Sequence, residues 1–449
     1  MNGSSRREFL KSSAAVAGAS VLGAPALVQG GANDRIRVGV IGIRGRGRAL
    51  IRGLDELAKE NVEIAAFCDC DEKILNHRAD DYEKKSGKKV ARHGDMRKIL
   101  EDKSIHAVAY ATPNHWHALG VIWACQAGKD AYVEKPGSHN IFEGRKMVEA
   151  ARKYKRIVQH GTQCRGSANI IEGIKKMKEG VIGRVYMARG IAYKFRGNPG
   201  REKPKPTPRG LNWDAWQGPA QAKPYSDFRR NRHHIIWDYG CGEIGNQGVH
   251  QLDIMRWGLG LDTHPTKVQS MGGCFIYESD QQTPATQTFS CEFGDRKILI
   301  TFEVRNYLTN AEAGMGIKYP FVDHHNVVGV IFLGTKGYMI IPDYSSYHTF
   351  LGRKRELGPH ASVAGQPMMD TDHVRNWINC IRSRKREDLA AEIEEGHLSA
   401  AICHLANIAY RTGRTLDFDP KTERFIGDPE SDKLLTRDYR KPYVVPEEV

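Results

Sequence analysis

A short apolar run, Ile36-Arg37-Val38-Gly39-Val40-Ile41, ends directly in Gly42-Ile43-Arg44-Gly45-Arg46-Gly47, and a helix-forming stretch follows. This junction constrains the fold more than any other part of the chain. A strand that turns through glycines into a helix points unpaired backbone N–H groups at whatever sits before the helix, and they favour an anion. The run is also the first of a series. Strand candidates recur at 62–68, 106–111, 131–133 and 157–160, with helical stretches at 50–59, 74–85, 116–127 and 142–153. The alternation predicts a parallel, doubly wound α/β sheet, because parallel strands need crossover helices.

Beyond about residue 180 the texture changes. Segments 184–195, 267–277, 286–293, 297–304 and 327–332 read as longer strands with few helices between them, the pattern of a mostly antiparallel sheet in an α+β domain. Two late helices show apolar residues at i, i+3, i+4 and i+7: Val374, Trp377, Ile378 and Ile381, then Leu398, Ala401, Ile402 and Leu405. The expected organisation is a dinucleotide-binding domain at 34–163, an α+β substrate domain at 164–420, and an extended C-terminal tail at 421–449 packed on the body. Residues 197–224, rich in Gly, Pro and Lys, read as a lid or binding loop.

Composition narrows the partners. The net charge of +14 raises the question of nucleic acid, but Lys and Arg are interleaved with Asp and Glu and no basic block occurs. No nucleic-acid partner is expected. Nine cysteines, an odd number spread over 449 residues, do not form a disulfide framework, and most should be buried thiols. Cys68 and Cys70 make no metal site on their own, and no metal is expected. At the N-terminus, Arg6-Arg7-Glu8-Phe9-Leu10 precedes a weakly apolar stretch, and Ala24-Pro25-Ala26 fits small-residue cleavage. The segment resembles a twin-arginine signal, so 1–26 is expected to be removed and the folded protein exported to the periplasm or beyond by the twin-arginine machinery. No later apolar run reaches the ~20 residues of a membrane span, so the mature form is not expected to span a membrane.

The chemistry-bearing residues cluster at predicted strand ends. Gly42 and Gly47 fit a dinucleotide fingerprint; Arg44 stands at its middle glycine position, with Gly45 one residue on. Asp69 ends the second strand candidate, 27 residues after Gly42, against about 20 in the usual spacing. A carboxylate there accepts from ribose hydroxyls and repels a 2′-phosphate, favouring NAD; Arg44 and Arg46 leave NADP open, and a merely solvated Asp is the plainer alternative. Two further strands end in Thr112-Pro113-Asn114-His115-Trp116-His117 and in Glu134-Lys135-Pro136. Ligands bind beyond the carboxyl ends of such strands, so both clusters should face the cofactor. The Lys135 ammonium is suited to stabilise a developing alkoxide, or is simply a surface lysine paired with Glu134. If the chain is helical from Asn246, then Asn246, His250 and Asp253 share one face at i, i+4 and i+7. A histidine is suited to move a hydroxyl proton while hydride leaves the same carbon, although a lone helical histidine is more often structural.

Glu134-Lys135-Pro136 followed by Gly248-x-His250-x-x-Asp253, with the Gly42–Gly47 turn, Thr112-Pro113 and His117, resembles the glucose–fructose oxidoreductase / inositol dehydrogenase (Gfo/Idh/MocA) family across the mature chain. The resemblance implies a Rossmann domain followed by an α+β sugar domain. It implies Lys135 and His250 as the catalytic pair, and Gln163 as a contact to the nicotinamide end. The cofactor-binding set is then Gly42, Arg44, Gly45, Arg46, Gly47, Asp69, Thr112, Asn114, His117, Glu134 and Gln163. Asn246 departs from the family, which often carries Asp there; Asn can orient a substrate hydroxyl but cannot take a proton.

The function expected is NAD(P)-dependent oxidation of a secondary alcohol on a sugar, cyclitol or glycoside. Asn246 and Tyr193 would contact the substrate, and Trp213 and Trp216 would line its surface or else belong to the core. A cofactor pool is not expected outside the cytoplasm, so NAD should be tightly held. The alternative is redox-neutral cleavage of a glycoside, in which bound NAD oxidises the sugar transiently and returns the hydride. An exposed sheet face in the second domain favours a homo-oligomer.

Overall fold

Six parallel strands form the first sheet, β1 (Ile36–Ile41), β2 (Val62–Cys68), β3 (Ala91–His93), β4 (Ala107–Tyr110), β5 (Asp130–Glu134) and β6 (Val158–Gly161). Their order is β3-β2-β1-β4-β5-β6. The computed structural model describes residues 35–307, 326–362 and 370–449, so the expected export signal lies outside the described residues. The central strands are buried on both faces, which is why they read as near-continuous apolar runs. The crossovers are α1 (Gly47–Glu56), α2 (Glu72–Ser86), α3 (Met96–Glu101), α4 (His117–Gln126) and α5 (Ile141–Lys153). The sequence pattern does not reveal β3, because Ala91-Arg92-His93 sits at the sheet edge and buries none of its residues fully.

The second sheet has ten strands: β7 (Val185–Lys194), β8 (Lys267–Gly273), β9 (Thr286–Phe293), β10 (Ile298–Arg305), β11 (Asn326–Gly334), β12 (Gly337–Ile341), β13 (Tyr347–Leu351), β14 (Glu356–Ala361), β15 (Leu416–Asp419) and β16 (Arg424–Phe425). β7 runs parallel to β10 and antiparallel to β11; the remaining pairs are antiparallel. The expected fold class, a Rossmann sheet followed by a large and mostly antiparallel sheet, is therefore what the chain adopts.

Helices α6 (Ala168–Lys178), α9 (Val249–Leu259) and α11 (Ile393–Thr412) cover one face of the ten-stranded sheet. Ile174, Met255 and Leu405 pack there with Phe289, Phe302 and Phe332. Strand parity follows: Ala188 and Ala192 of β7 turn toward these helices, while Ile191 and Tyr193 join Val327 in a separate cluster on the opposite face. Helix α10 (Asp370–Ser383) instead returns to the first sheet, its Trp377 ring 5.8 Å from that of Tyr132.

Residues 197–224 are not a bare loop. They contain α7 (Trp213–Gln217), and α8 (Asp227–Asn231) follows. Trp213 and Trp216 stack at 4.5 Å and are buried with Leu211, Tyr225, Phe228 and Tyr239, so both tryptophans are core. The tail from 421 is not extended throughout: it carries β16 and a helical turn, α12 (Pro429–Asp432), before Tyr443 and Val445 bury themselves against Val108 and Leu119. No helix among the described residues is long and apolar enough to cross a membrane.

Candidate active site

The strand order reverses between β1 and β4, and there the glycine turn packs tightly against the main chain. A Cβ at Gly42 would lie 2.8 Å from the main chain of Ala111 and Thr112, and one at Gly47 would lie 2.1 Å from the Gly42 carbonyl oxygen. Both glycines are thus required by packing of the turn against β4 and of α1 against the turn. Gly45 differs: a Cβ there would meet nothing within 4 Å, so its backbone borders open space. The first turn of α1 has neither a capping side chain nor an acidic residue. This uncapped helix start, the open cradle at Gly45 and the buried, unpartnered Thr112 hydroxyl fit a dinucleotide diphosphate.

Asp69, at the end of β2, accepts from the Ile43 N–H at 3.1 Å and from the Asp71 N–H at 3.0 Å. It is therefore fixed beside the glycine turn, although burial pushes its carboxyl pKa up. The exposed Arg44 donates to Asn231 at 3.0 Å. Arg46 crosses the cleft floor to Glu134, 2.7 Å away, and also pairs with Asp370. Glu134 further accepts from Gln163 at 2.9 Å, and Gln163 donates to the Tyr132 hydroxyl at 3.0 Å. The carboxyl ends of β1, β5 and β6 are thus joined in one polar network at the end of the cleft away from Asp69.

The structure corrects one expectation about this set. Both ring nitrogens of His117 face main-chain carbonyls, Pro136 at 2.6 Å and Thr112 at 2.8 Å. The ring ties two loops together and does not turn into the cleft; burial pushes its pKa down. Asn114, 8 % exposed, lies beside the Cys241 thiol.

The second domain brings its own groups to the end of β5. Residues Ile244–Gly248 form one wide π-helical turn ahead of α9. A wide turn alters the 3.6-residue register, so Asn246 does not share a regular α-helical face with His250 and Asp253, which lie within α9. Asp253 points elsewhere, pairing with Arg165 at 2.8 Å and accepting from Ser399 at 2.8 Å. The Lys135 ammonium donates to the Asn246 carbonyl at 2.6 Å, with the Asn246 side-chain oxygen 3.5 Å away. The Asn246 amide donates to Glu243 at 3.2 Å, and fully buried Glu243 pairs with Arg196 at 2.8 Å.

His250 is 8 % exposed, its Nδ1 is buried without a partner, and its ring lies 5.4 Å from that of Tyr344. Burial, then the charges of Lys135, Arg46 and Lys194, hold its pKa well below the usual 6.5, so the imidazole is neutral. Burial also lowers Lys135, against the pull of Glu134.

Tyr193 is a further correction. Its hydroxyl donates to Glu303 at 3.0 Å and the Arg305 guanidinium sits 3.5 Å over its ring, on the sheet face away from α9. The next residue, Lys194, has the opposite parity and reaches Gln247, which contacts Tyr344. Sequence reasoning missed Lys194, Arg196, Glu243 and Asp370. Strand alternation marks Lys194 only once the facing helix is known, and nothing in the sequence ties Asp370 to Arg46.

Two family models match the chain: the oxidoreductase family NAD-binding Rossmann fold over residues 36–162, and the family's C-terminal alpha/beta domain over 170–289 and 342–445. The chain belongs to the Gfo/Idh/MocA oxidoreductase family. It is thus an oxidoreductase whose first domain binds NAD. A glycosyl hydrolase family 109 protein of Solibacter usitatus is 26% identical over 338 residues, 72% of this chain and 69% of that protein. Among solved structures, levoglucosan dehydrogenase in complex with NADH and levoglucosan is similar at a TM-score of 0.63 and 17% identity, covering 85% of this chain and 99% of that one. The WlbA dehydrogenase of Bordetella pertussis, in complex with NADH and UDP-GlcNAcA, gives 0.62 and 18%, covering 86% and 99%. These two show the shared fold.

Proposed function

We propose that this Gfo/Idh/MocA protein oxidises a secondary alcohol of a sugar, cyclitol or glycoside, with His250 and Lys135 as its catalytic pair. The observation that carries the reading is a buried, neutral and unpartnered imidazole beside the Lys135 ammonium, at the strand ends of an NAD-binding sheet. Bound NAD supplies the ring that takes the hydride from the carbinol carbon. His250 takes the hydroxyl proton, so that two electrons and one proton leave with the hydride and the second proton stays on the protein. Lys135 holds the oxygen through that change and stabilises its negative charge. Gly42, Gly45 and Gly47 receive the diphosphate, Asp69 the adenosine ribose, and Arg44, Arg46, Thr112, Glu134 and Gln163 line the remaining path. Asn246 positions a neighbouring hydroxyl. The sugar dehydrogenases among the structural neighbours support this substrate class.

Tight retention of the cofactor fits the segment around α7 and α8. It grips the start of α2 through an Arg230–Asp71 ion pair and a 2.9 Å bond from Glu72 N–H to the Gly210 carbonyl, while Asn231 holds Arg44. Export through the twin-arginine route agrees with a protein that leaves carrying its cofactor. Retention and the family 109 relatives also favour a second reading, redox-neutral cleavage of a glycoside. Self-association through the sheet face opposite α9 belongs to the same proposal. The test is mass spectrometry of the dinucleotide that co-purifies, followed by a screen of sugars, cyclitols and glycosides read for nicotinamide absorbance at 340 nm and for aglycone release. Net reduction of NAD by a sugar establishes the first reading; aglycone release without it establishes the second.

A further inference from the structure

The pocket beside His250 holds more positive charge than its own carboxylates neutralise. Lys194 lies on β7, on the face toward α9, and its ammonium bonds to the Gln247 amide oxygen. Among the described residues no carboxylate lies within ion-pair distance of it. Lys135 is bonded to a neutral carbonyl and a neutral amide. Arg196 pairs with Glu243, yet its Nε is buried without a partner. Glu134 is already occupied by Arg46, Gln163 and the Lys135 N–H. Arg46, Lys135, Lys194 and Arg196 thus face three carboxylates, Glu134, Asp370 and Glu243, and the cation left without a carboxylate partner is Lys194.

Half-buried ammonium groups without a counter-ion cost stability. Lys194 shows that cost: burial first, then the charges of Arg196 and Lys135, bring its pKa down to about 8 against the pull of Glu243. A fixed excess of positive charge in a polar cleft is what an anionic ligand compensates. The diphosphate does not supply it, because its cradle lies at the end of β1, whereas Lys194 and Arg196 come from the second domain.

We propose that the substrate is an anionic sugar, whose carboxylate or phosphate is held by Lys194 with Arg196 while its hydroxyl meets Lys135 and His250. This names the substrate class for the site and rests on the reading of that site as a sugar dehydrogenase. Lys194 touches the anion directly and takes no part in proton or hydride movement. The anion replaces the neutral partner Gln247, which remains free to bond Gln251 and Tyr344.

The experiment measures binding by calorimetry to the full chain supplied with NAD. The probes are neutral sugars, the matching uronates and aldonates, and sugar phosphates. The expected result is that one acidic class binds about tenfold or more tighter than its neutral counterpart, the difference a charge-assisted bond makes. In Lys194→Met that ratio collapses toward unity, and Lys194→Arg restores part of it. The comparison of uronates with phosphates identifies which anion the pocket takes. Equal binding of acidic and neutral sugars overturns the proposal, as does failure of every acidic probe to bind. A ratio that survives in both Lys194→Met and Lys194→Gln, each shown folded by its melting transition, overturns it too. Absorbance at 340 nm read on the same samples separates the two claims. Acidic sugars that bind through Lys194 without reducing NAD refute the dehydrogenase reading alone. Neutral sugars that reduce NAD while acidic ones do not bind refute the anionic substrate alone.

Discussion

Lys135 and Asn246, 111 residues apart, are joined by a 2.6 Å hydrogen bond from the lysine ammonium to the asparagine main-chain carbonyl. The bond links the end of β5 in the NAD-binding sheet to the wide turn that presents His250. A main-chain acceptor explains how the contact is made with Asn at 246: the carbonyl holds Lys135 whatever the side chain.

The pair should act on one transition state. His250→Ala is expected to lower turnover by about 10²–10⁴-fold, the range for losing a general acid or base, with NAD still bound. Lys135→Ala should lower it as well, and the double variant should be little worse than the poorer single one. Steady-state kinetics on an identified substrate decides; near-normal turnover of His250→Ala would falsify the assignment.

Asp69 anchors the glycine turn, and in the proposed reading it also binds the adenosine ribose. Asp69→Ala should weaken NAD by about 10- to 100-fold, the worth of a hydrogen bond to a charged group, and should relax discrimination against NADP. Titration with both dinucleotides checks this, and unchanged affinity and preference would remove Asp69 from the ribose site.

Tyr193 and Lys194 are neighbours with opposite fates. Tyr193→Phe removes the bond to Glu303 and should cost about 0.5–1.5 kcal/mol of stability while leaving kcat/KM unchanged. Lys194→Met should instead raise stability at neutral pH by about 0.5–2 kcal/mol, and Tm with it, because it removes a half-buried cation. Because its folded pKa, about 8, lies below that of an unfolded lysine, this gain should persist below pH 8 and shrink as the pH rises toward about 10.4. A lower melting point for Lys194→Met at pH 7 would contradict the account.

Glu423, in the turn between β15 and β16, accepts from His264 at 2.6 Å, from His397 at 2.7 Å and from Arg145 at 2.6 Å. These bonds hold its carboxyl far below the usual range even against burial, while burial keeps His264 neutral with a pKa of about 4. A depressed carboxylate pKa stabilises the fold above the unfolded value of about 4.3 and loses that contribution as pH falls further. Glu423→Gln should therefore cost about 2–4 kcal/mol at pH 7, the scale of breaking a buried ionic contact, and the gap to the parent should narrow below about pH 4. Urea unfolding across that range provides the measurement; a gap that widens in acid is the contrary result.

The export proposal rests on Arg6-Arg7. Replacing both by lysine should keep folded protein inside the cell, since the planar guanidinium is not interchangeable with an ammonium. Fractionation of the producing cells gives the answer, and normal export of the double variant would end that argument.

Local pattern alone determined five strands of the first sheet and its glycine turn, leaving out only the edge strand β3. Strands buried on both faces leave continuous apolar runs, and position 42 admits only Gly because a Cβ there would lie 2.8 Å from the Ala111 main chain. Lys135 and His250 stood out as candidates for a similar reason, since each follows or enters a regular element of the predicted pattern. Tertiary structure decided what depends on two distant segments meeting. The side on which Tyr193 and Lys194 fall is set by which face of the ten-stranded sheet α9 covers, and a one-residue difference in parity exchanges core for site. Trp213 and Trp216 became core because residues 211–239 close on one another, and Asp370 met Arg46 across 324 residues through the docking of α10. Side-chain periodicity encodes orientation within an element; the partner across the interface is encoded only by the packing of the whole chain.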